Sequence, residues 1–357
     1  MSSVDVGSDS PVNQAVAALE RAVYLLDRDL APGAKVKAFA RAAEIVATLT
    51  SEELHHRAES GTLLELAGIG PSTGGVIADV LAGRPSPYLE RLERETVVAL
   101  GEGAELRARL QGDCHSHSTW SDGGATMAAM GRAARALGHA YLVVTDHSPR
   151  MAVARGLTGE RLATQRAEID ALNEAFAAEA AAGAVSPFRL LQGLEVDINE
   201  DGSLDMDDAT LAGLDLVVAS PHVKLKMDRK AMTRRLVLAA VHPHVDVLGH
   251  CTGRKVAPHG NRAGADFDAD MVFAACAQHH TAVEINCRPE RQDPPEELLT
   301  LALEWETKVA INTDAHAPGQ LEWQNYGCDK AALAGIEPDE VINTWPLERL
   351  LAWGRPG

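Results

Sequence analysis

Aromatic side chains are scarce in this chain: five Trp, four Tyr and five Phe make up 4% of 357 residues. Cysteine is scarcer. The five present (Cys114, Cys251, Cys276, Cys287, Cys328) form no CxxC pair and no regular framework. An odd, widely spaced set of this kind reads as the reduced thiols of a cytoplasmic protein. Basic residues are also short, 33 Lys and Arg against 51 Asp and Glu for a net charge of −18. A broad electrostatic grip on a nucleic-acid backbone needs clustered cations and is therefore not expected. No run of 18 apolar residues occurs, and Met1-Ser2-Ser3-Val4-Asp5 lacks a basic-then-apolar leader. The expectation is a chain with no membrane span and no signal peptide. What remains is ordinary for a globular protein, 46% hydrophobic and 24% charged, and long enough for one large domain and a small one.

The first 100 residues read as helical. Residues 1–10 are polar and expected to be a disordered tail. Apolar residues at helical spacing (Val16, Leu19, Val23, Leu26) run to Pro32-Gly33, and residues 35–49 repeat the pattern. Leu66-Ala67-Gly68-Ile69-Gly70, followed by a further helix, has the form of a helix-hairpin-helix. There, glycines let backbone N–H groups approach a phosphate at a helix N-terminus. Gly68 and Gly70 equally suit a plain tight turn. They stand with Lys35 and Lys37 as candidate nucleic-acid contacts in a helical domain spanning 11–100. Pro85, Pro87 and Gly101-Glu102-Gly103 mark a boundary, with 101–110 expected as a linker.

Beyond residue 110 the texture changes. Short β-branched runs near 114, 141–144, 188–191, 214–218, 245–248, 282–285 and 309–311 alternate with helical patterns. This argues for parallel strands buried on both faces, closed into a barrel or wound into an open sheet. In either fold the functional site gathers at the carboxyl ends of the strands. Those ends carry His115 and His117 with Asp122 following, Asp146-His147, Glu195, His222, His250 and Asp314 with His316. So many imidazoles and carboxylates on one rim would be costly unless cations neutralised them. Bound cations would also offset part of the acidity. The nitrogen and oxygen donors suit Zn, Mn or Fe, and nine candidates suggest two or three divalent ions.

His115-x-His117, Asp122-Gly123, Asp146-His147, Glu195, His222, His250 and Asp314-x-His316, in this order, resemble the motif set of the polymerase and histidinol phosphatase (PHP) superfamily. The resemblance covers 111–357. It is most detailed toward the C-terminal domain of bacterial family X DNA polymerases, through residues 115–123, Glu195-Val196-Asp197-Ile198, Thr252-Gly253-Arg254 and Asn343-Thr344. The helical stretch, including Lys35-Val36-Lys37-Ala38-Phe39, resembles that family's small N-terminal domain. The resemblance implies a distorted (β/α)7 barrel at 111–357 holding a trinuclear site. His115, His117, Glu195 and Asp314 would hold one ion, and Glu195 would bridge to a second on His222 and His250. Asp122, His147 and His316 would hold the third. Three departures stand out. Only a linker occupies the place of the palm and fingers, which leaves no room for a polymerase site. Val76 occupies the position of the Schiff-base lysine of lyase-type members. Cys251 stands where a proline is usual, to alter a turn, pack, or add a soft ligand.

Such a site suits phosphoester hydrolysis. The expected activity is a metal-dependent phosphodiesterase, a DNA nuclease of the 3′–5′ exonuclease or abasic-site and end-processing kind, with Glu195 central to catalysis. Arg254, just past a strand-end ligand, is the candidate contact for a phosphate oxygen, or else a surface ion pair. Lys224 and Lys226 are weaker candidates, and Glu284 and Asn286 are candidates to orient imidazoles. The competing expectations are a small-molecule phosphomonoesterase of the histidinol-phosphatase kind and a metal-stabilised repair scaffold without activity.

Overall fold

In the computed structural model the β-branched runs become seven parallel strands. They are β1 (Gly112–Ser116), β2 (Tyr141–Val144), β3 (Arg189–Asp197), β4 (Leu216–Ser220), β5 (Val247–Leu248), β6 (Ala282–Asn286) and β7 (Val309–Asn312). They pair in chain order, and Ser116 bridges in parallel to Ala315 just past β7. The sheet is thus a nearly closed barrel, with every strand end on one rim. Its distortion is visible in the two-residue β5 beside the nine-residue β3 and in a register shift of β1 against β2 between Asp113 and Ser116. The structure describes residues 10–183, 185–256 and 260–353. Most of the expected disordered tail, residues 1–9, lies outside them.

Between strands run α7 (Met127–Ala136), α8 (Gly159–Ala181), α9 (Asp208–Ala212), α10 (Arg229–Ala240), α11 (Ala269–His279) and α12 (Glu296–Glu304). The first five each start where a Thr or Asp side chain (Thr126, Thr158, Asp207, Asp228, Asp268) accepts an otherwise unpaired amide of the first turn. After β7 come α13 (Gln324–Leu333) and α14 (Leu347–Ala352). Alternate residues of β2 divide between two of the cores. Tyr141, Val143, Leu191, Leu216 and Val218 pack with Ile342, Trp345 and Leu350, which seal the end of the barrel away from the site. Leu142, Val144 and Leu190 pack on Met127 and Met130 of α7 and on Ile169 and Phe176 of α8. Truncating fully buried Leu191 to Ala in such a core costs about 2–5 kcal/mol.

The chain divides into two compact units, Met1–Val97 and Val98–Gly357. The smaller holds α1 (Pro11–Arg28), α2 (Gly33–Ala47), α3 (Ser51–Glu59), α4 (Pro71–Leu81) and α5 (Pro87–Glu95). Leu19, Leu25, Phe39, Val46, Leu54 and Ile77 form its core. The stretch 101–110 differs from a plain linker. It contains α6 (Ala104–Arg109), with Leu106 and Leu110 buried. Asp329 of α13 also accepts the amides of Gly101 (2.9 Å) and Gly103 (2.8 Å). No helix among the described residues is long and apolar enough to cross a membrane, and all five cysteines are free and buried.

Candidate metal centre

Glu195 is the hub of the strand-end rim. Its Oε2 lies 3.4 Å from His115 Nε2, 3.5 Å from His117 Nε2 and 2.9 Å from His147 Nδ1. Its Oε1 lies 3.2 Å from His222 Nε2 and 2.8 Å from His250 Nε2. Asp314 Oδ1 stands 3.3 Å from His117 Nε2 and 4.0 Å from His115 Nε2. Asp122 Oδ1 stands 3.6 Å from His147 Nε2 and 3.5 Å from His316 Nε2. All nine residues expected on the rim therefore meet. Three groups bring their donor atoms within 4.8 Å of one another: His117, Asp122, His147 and His316; His115, His117 and Glu195; and His147, Glu195 and His222. His117 thus also joins the group expected from Asp122, His147 and His316 alone. The backbone bends to deliver two of these side chains, since Asp314 has φ +54° and His250 φ +20°. Such strain persists where surrounding structure enforces it.

The donor set fits divalent cations on three observations. Two donors each about 2.1 Å from a tetrahedral ion lie about 3.4 Å apart, which is the spacing of most of the pairs above. His115 Nε2, His117 Nε2, His147 Nδ1 and His222 Nε2 are buried without a hydrogen-bond partner among the described residues. Buried polar atoms are normally satisfied, and leaving one orphaned costs about 1–3 kcal/mol. Finally, surrounding carboxylates hold protons on the far nitrogens. Glu284 Oε1 accepts from His115 Nδ1 at 2.7 Å, and Asp197 Oδ1 accepts from His222 Nδ1 at 3.1 Å. Each imidazole then turns its Nε2 lone pair to the centre, the arrangement seen around metal-ligating histidines.

Glu284 is itself fixed by donors. Asn312 Nδ2 (3.0 Å) joins His115 on Oε1, while the His250 amide (2.7 Å) and Asn286 Nδ2 (3.1 Å) occupy Oε2. Asn286 Nδ2 also reaches Asp314 Oδ2 at 3.3 Å. Burial would raise the Glu195 pKa, but the imidazoles of His222, His115 and His147 outweigh it and hold the carboxyl well below its usual range. Burial is likewise overcome at Asp314, where Arg291 leads the lowering. Burial, with His316 and His147 beside it, pushes His117 down to about 3. His147 is driven by Glu195 and Asp122, against the effect of burial, up to about 10. Without cations the centre is thus a set of ionised carboxylates partly balanced by imidazolium, and ligation would replace those protons.

Exposure locates the mouth. The side chains of His115 and His117 are fully buried, while Asp122 is 38% and His316 22% exposed. The rim is open on the Asp122–His316 side.

Arg254, expected at the phosphate, is occupied elsewhere. Its Nε donates to the Arg291 carbonyl at 3.1 Å and its Nη2 to the Gln292 carbonyl. It lines a cavity of about 750 Å³ shared with Lys330 and Tyr326. The arginines that reach the candidate ligands are Arg291, whose Nε lies 2.9 Å from Asp314 Oδ2, and Arg288, whose Nη1 lies 3.1 Å from both the Asp314 carbonyl and His316 Nδ1. Neither was singled out from sequence. Both follow the end of β6, and the strand-end rule would have found them had cations been counted with His, Asp and Glu. Lys224 and Lys226 are exposed. Cys251 is buried in the main hydrophobic cluster.

The helical unit carries its own candidates. Gly68 has φ +106°, and a Cβ there would meet Ile45 Cδ1 at 2.6 Å on α2, the helix whose exposed residues include Lys35 and Lys37. The Gly70 amide donates to Thr73 Oγ1 at 2.9 Å. Val76 is fully buried in the helical core, where a lysine would have to surrender its charge.

Residues 113–288 match the model of the PHP domain family. The chain is 39% identical over 245 residues to the DNA polymerase/3′-5′ exonuclease PolX of Bacillus subtilis, a match covering 69% of this chain and 41% of the relative. It therefore spans about two fifths of that relative's length. It is 28% identical over 244 residues to a probable phosphatase of Thermoanaerobacter sp., covering 65% of this chain and 89% of the relative. Among solved structures, histidinol phosphate phosphatase from Lactococcus lactis, complexed with zinc, L-histidinol and phosphate, aligns over 64% of this chain and 94% of its own, at TM-score 0.45 and 19% identity.

Proposed function

The chain carries a PHP domain at residues 113–288, and on that footing we propose that it is a metal-dependent phosphodiesterase acting on DNA. We assign it to the 3′–5′ exonucleases or abasic-site and end-processing nucleases of repair, in the cytoplasm. The observation that carries the hydrolase reading is the nine-residue cluster with its orphaned imidazole nitrogens. The likeness to PolX over 69% of this chain supports DNA over a small phosphate. The chain passes from Val97 to Val98 directly between its two units, with no intervening domain, so no polymerase activity is assigned.

Two or three divalent ions, Zn, Mn or Fe, are the cofactors. His115, His117, Glu195 and Asp314 would hold one, Glu195, His222 and His250 a second, and Asp122, His147 and His316 the third. Such ions supply an activated water and neutralise the charge that develops on phosphate oxygens. The chain's own residues prepare the place. Glu284 and Asp197 keep protons on His115 Nδ1 and His222 Nδ1, which leaves both Nε2 atoms as donors. Burial of His115, His117, Glu195 and Asp314 keeps bulk water from competing for them. The open Asp122–His316 side admits the phosphate. Net acidity does not exclude DNA, since one phosphodiester at the mouth is enough for cleavage. Gly68, Lys35 and Lys37 of the helical unit would add backbone contacts, whereas the Gly70 amide is already spent on Thr73 Oγ1.

The test is metal-loaded protein incubated with end-labelled DNA, abasic DNA and histidinol phosphate. Cleavage of DNA alone is expected. Cleavage of the small monoester alone would assign a phosphomonoesterase, and no cleavage in any metal form would assign a scaffold. Changing Lys35 and Lys37 together to Glu should weaken DNA binding and reduce its salt dependence by about one unit of slope per lost contact. Hydrolysis of a small chromogenic phosphodiester should be unchanged. Equal loss of both would remove the helical unit from DNA recognition.

A further inference from the structure

One stretch runs against the charge of the whole chain. Residues 222–235 hold six Lys and Arg against a single Asp, a net of +5 in a chain of net −18. The stretch opens on His222, at the rim past β4, and ends inside α10. Some of its cations are occupied. Arg235 is fully buried, with Nε and Nη2 on the Ile198 carbonyl and Nη1 on that of Val223 at 2.9 Å. Arg229 lies 3.7 Å from Asp268 and 3.9 Å from Asp266. Lys230 and Arg234 line a groove of about 410 Å³ with Glu200 and Asp201, outside ion-pair distance. Lys224, Lys226 and Lys230 are exposed, and among the described residues none of the three is in an ion pair.

The local structure holds these lysines out. Arg235 fixes the Val223 carbonyl, and Leu225 is buried against Gly253, where a Cβ would meet Leu225 Cδ1 at 2.7 Å. With Leu225 turned inward, Lys224 and Lys226 on either side of it are left in solvent. Lys224 has φ +55°, a conformation that a residue with a Cβ adopts only where its surroundings enforce it. Lys230 stands in the first turn of α10, which contains no acidic residue, although the helix dipole there favours anions over cations. Asp228 does not answer it, since its carboxylate caps the helix on the Ala231 amide at 3.1 Å. Solubility does not require the lysines either, because a chain of net −18 already repels its own copies. What three neighbouring, unpaired cations lack is an anion from outside the chain.

Resting on the phosphodiesterase reading above, we propose that Lys224, Lys226 and Lys230 form a short track for backbone phosphates of a DNA strand, away from the phosphodiester that is cut. In the strand order β4 stands across the barrel from the β7–β1 junction, where Asp122 and His316 open the mouth. A strand held at both places therefore lies over the rim, and a substrate too short to cross it leaves the lysines unused. Lysine suits the task because it meets phosphate as a mobile point charge without a fixed fork. Residues 222–235 contain no Phe, Tyr or Trp, so the track has no stacking platform. It senses the backbone and carries no base readout.

The probe is a fluorescent single-stranded oligonucleotide with phosphorothioate linkages, its Kd measured by anisotropy on the metal-loaded full chain across a salt series. Wild type is compared with the triple variants Lys224→Gln/Lys226→Gln/Lys230→Gln and Lys224→Arg/Lys226→Arg/Lys230→Arg. Losing three contacts to a single strand should flatten the slope of log Kd against log salt by about 2, so the Gln variant's disadvantage shrinks about 20-fold between about 50 and 200 mM salt. The Arg variant, which keeps the charges, should follow wild type. Affinity and slope unchanged in the Gln variant would overturn the proposal, as would equal loss in the Arg variant, which marks a structural role. An equal loss of kcat/KM on a small chromogenic phosphodiester would overturn it by placing the lysines at the cut phosphate. Wild type that binds vesicles of anionic phospholipid but no oligonucleotide would assign the patch to a membrane surface instead. Wild type that binds the oligonucleotide through these lysines yet cleaves no phosphoester in any metal form would overturn the phosphodiesterase reading and leave the track standing.

Discussion

Replacing Glu284 by Gln changes one atom and almost no volume, yet it opposes four donors at once. His115 Nδ1 and Asn312 Nδ2 converge on Oε1, and the His250 amide and Asn286 Nδ2 on Oε2. Neither asparagine can flip to help. Asn312 Oδ1 accepts the Cys114 amide and Asn343 Nδ2, and Asn286 Oδ1 accepts the Arg288 amide. The new NH₂ must therefore face two N–H donors whichever way the amide turns. If it faces His115, the imidazole can move its proton to Nε2, which removes the lone pair aimed at Glu195. If it faces the His250 amide, that buried donor is orphaned. Loss of a residue that orients a metal-ligating histidine typically costs 10–100-fold in metal affinity, about 1.4–2.7 kcal/mol. In metal-free protein two unsatisfied buried donors cost about 2–6 kcal/mol. For a unit of this size the lower figure corresponds to about 4–8 °C in Tm. Metal competition against a chromogenic chelator and thermal unfolding in chelator measure the two effects. Affinity within about twofold of wild type together with an unchanged Tm would refute the argument that Glu284 sets the His115 tautomer.

Glu195→Ala should abolish hydrolysis and release more than one metal equivalent, because five imidazoles converge on this carboxylate; full activity in the variant would end its bridging assignment. Arg254→Met should lower stability by about 1–3 kcal/mol through the loss of two hydrogen bonds to carbonyls, with KM for a phosphodiester moved by less than about threefold. A KM raised about tenfold at unchanged stability would restore Arg254 as the phosphate contact. His139 is buried with both ring nitrogens unpartnered among the described residues, and burial followed by the Arg107 cation pushes it down to about 3. Its folded pKa lies below the unfolded value, so the stability it supports is full above about 6.5 and drains away as pH falls toward 3. Between pH 8 and pH 5 the loss is about 2 kcal/mol. The unfolding free energy of wild type minus that of His139→Leu should therefore fall by that amount from pH 8 to pH 5, and a pH-independent difference would contradict a neutral buried imidazole.

The candidate ligands were readable as a cluster because two local regularities coincide at them. A parallel strand buried on both faces is a short β-branched run, and its carboxyl end is the next residue or two. His147, His222 and His250 could be placed without knowledge of tertiary contacts. The boundary at 101–110 was not readable in this way. Its glycines and its short span suggest a linker, and what turns it into structure is Asp329, 228 residues away from Gly101 and bound to its amide. At Gly103 the chain approaches so closely that a Cβ would stand 2.3 Å from the Cys328 carbonyl carbon. Nothing near residue 101 announces either contact.

Arg254 and Arg291 show where residue identity stops being informative. Both follow strand-end candidate ligands or their partners, and both are arginines. Sequence proximity to His250 favoured Arg254, but the next loop returns past it and offers the Arg291 and Gln292 carbonyls, leaving Arg291 at Asp314. A stronger signal lay in the strands themselves. In Ala282-Val283-Glu284-Ile285 a carboxylate interrupts a run that is otherwise apolar and buried throughout. In β3, Glu195 and Asp197 do the same. Burying a charge inside a parallel sheet is unfavourable unless partners compensate it, so such a residue breaks the local rule where a site needs it. By that criterion Glu284 and Asp197 are as legible as the histidines they orient, and they identify which imidazole nitrogens are left free.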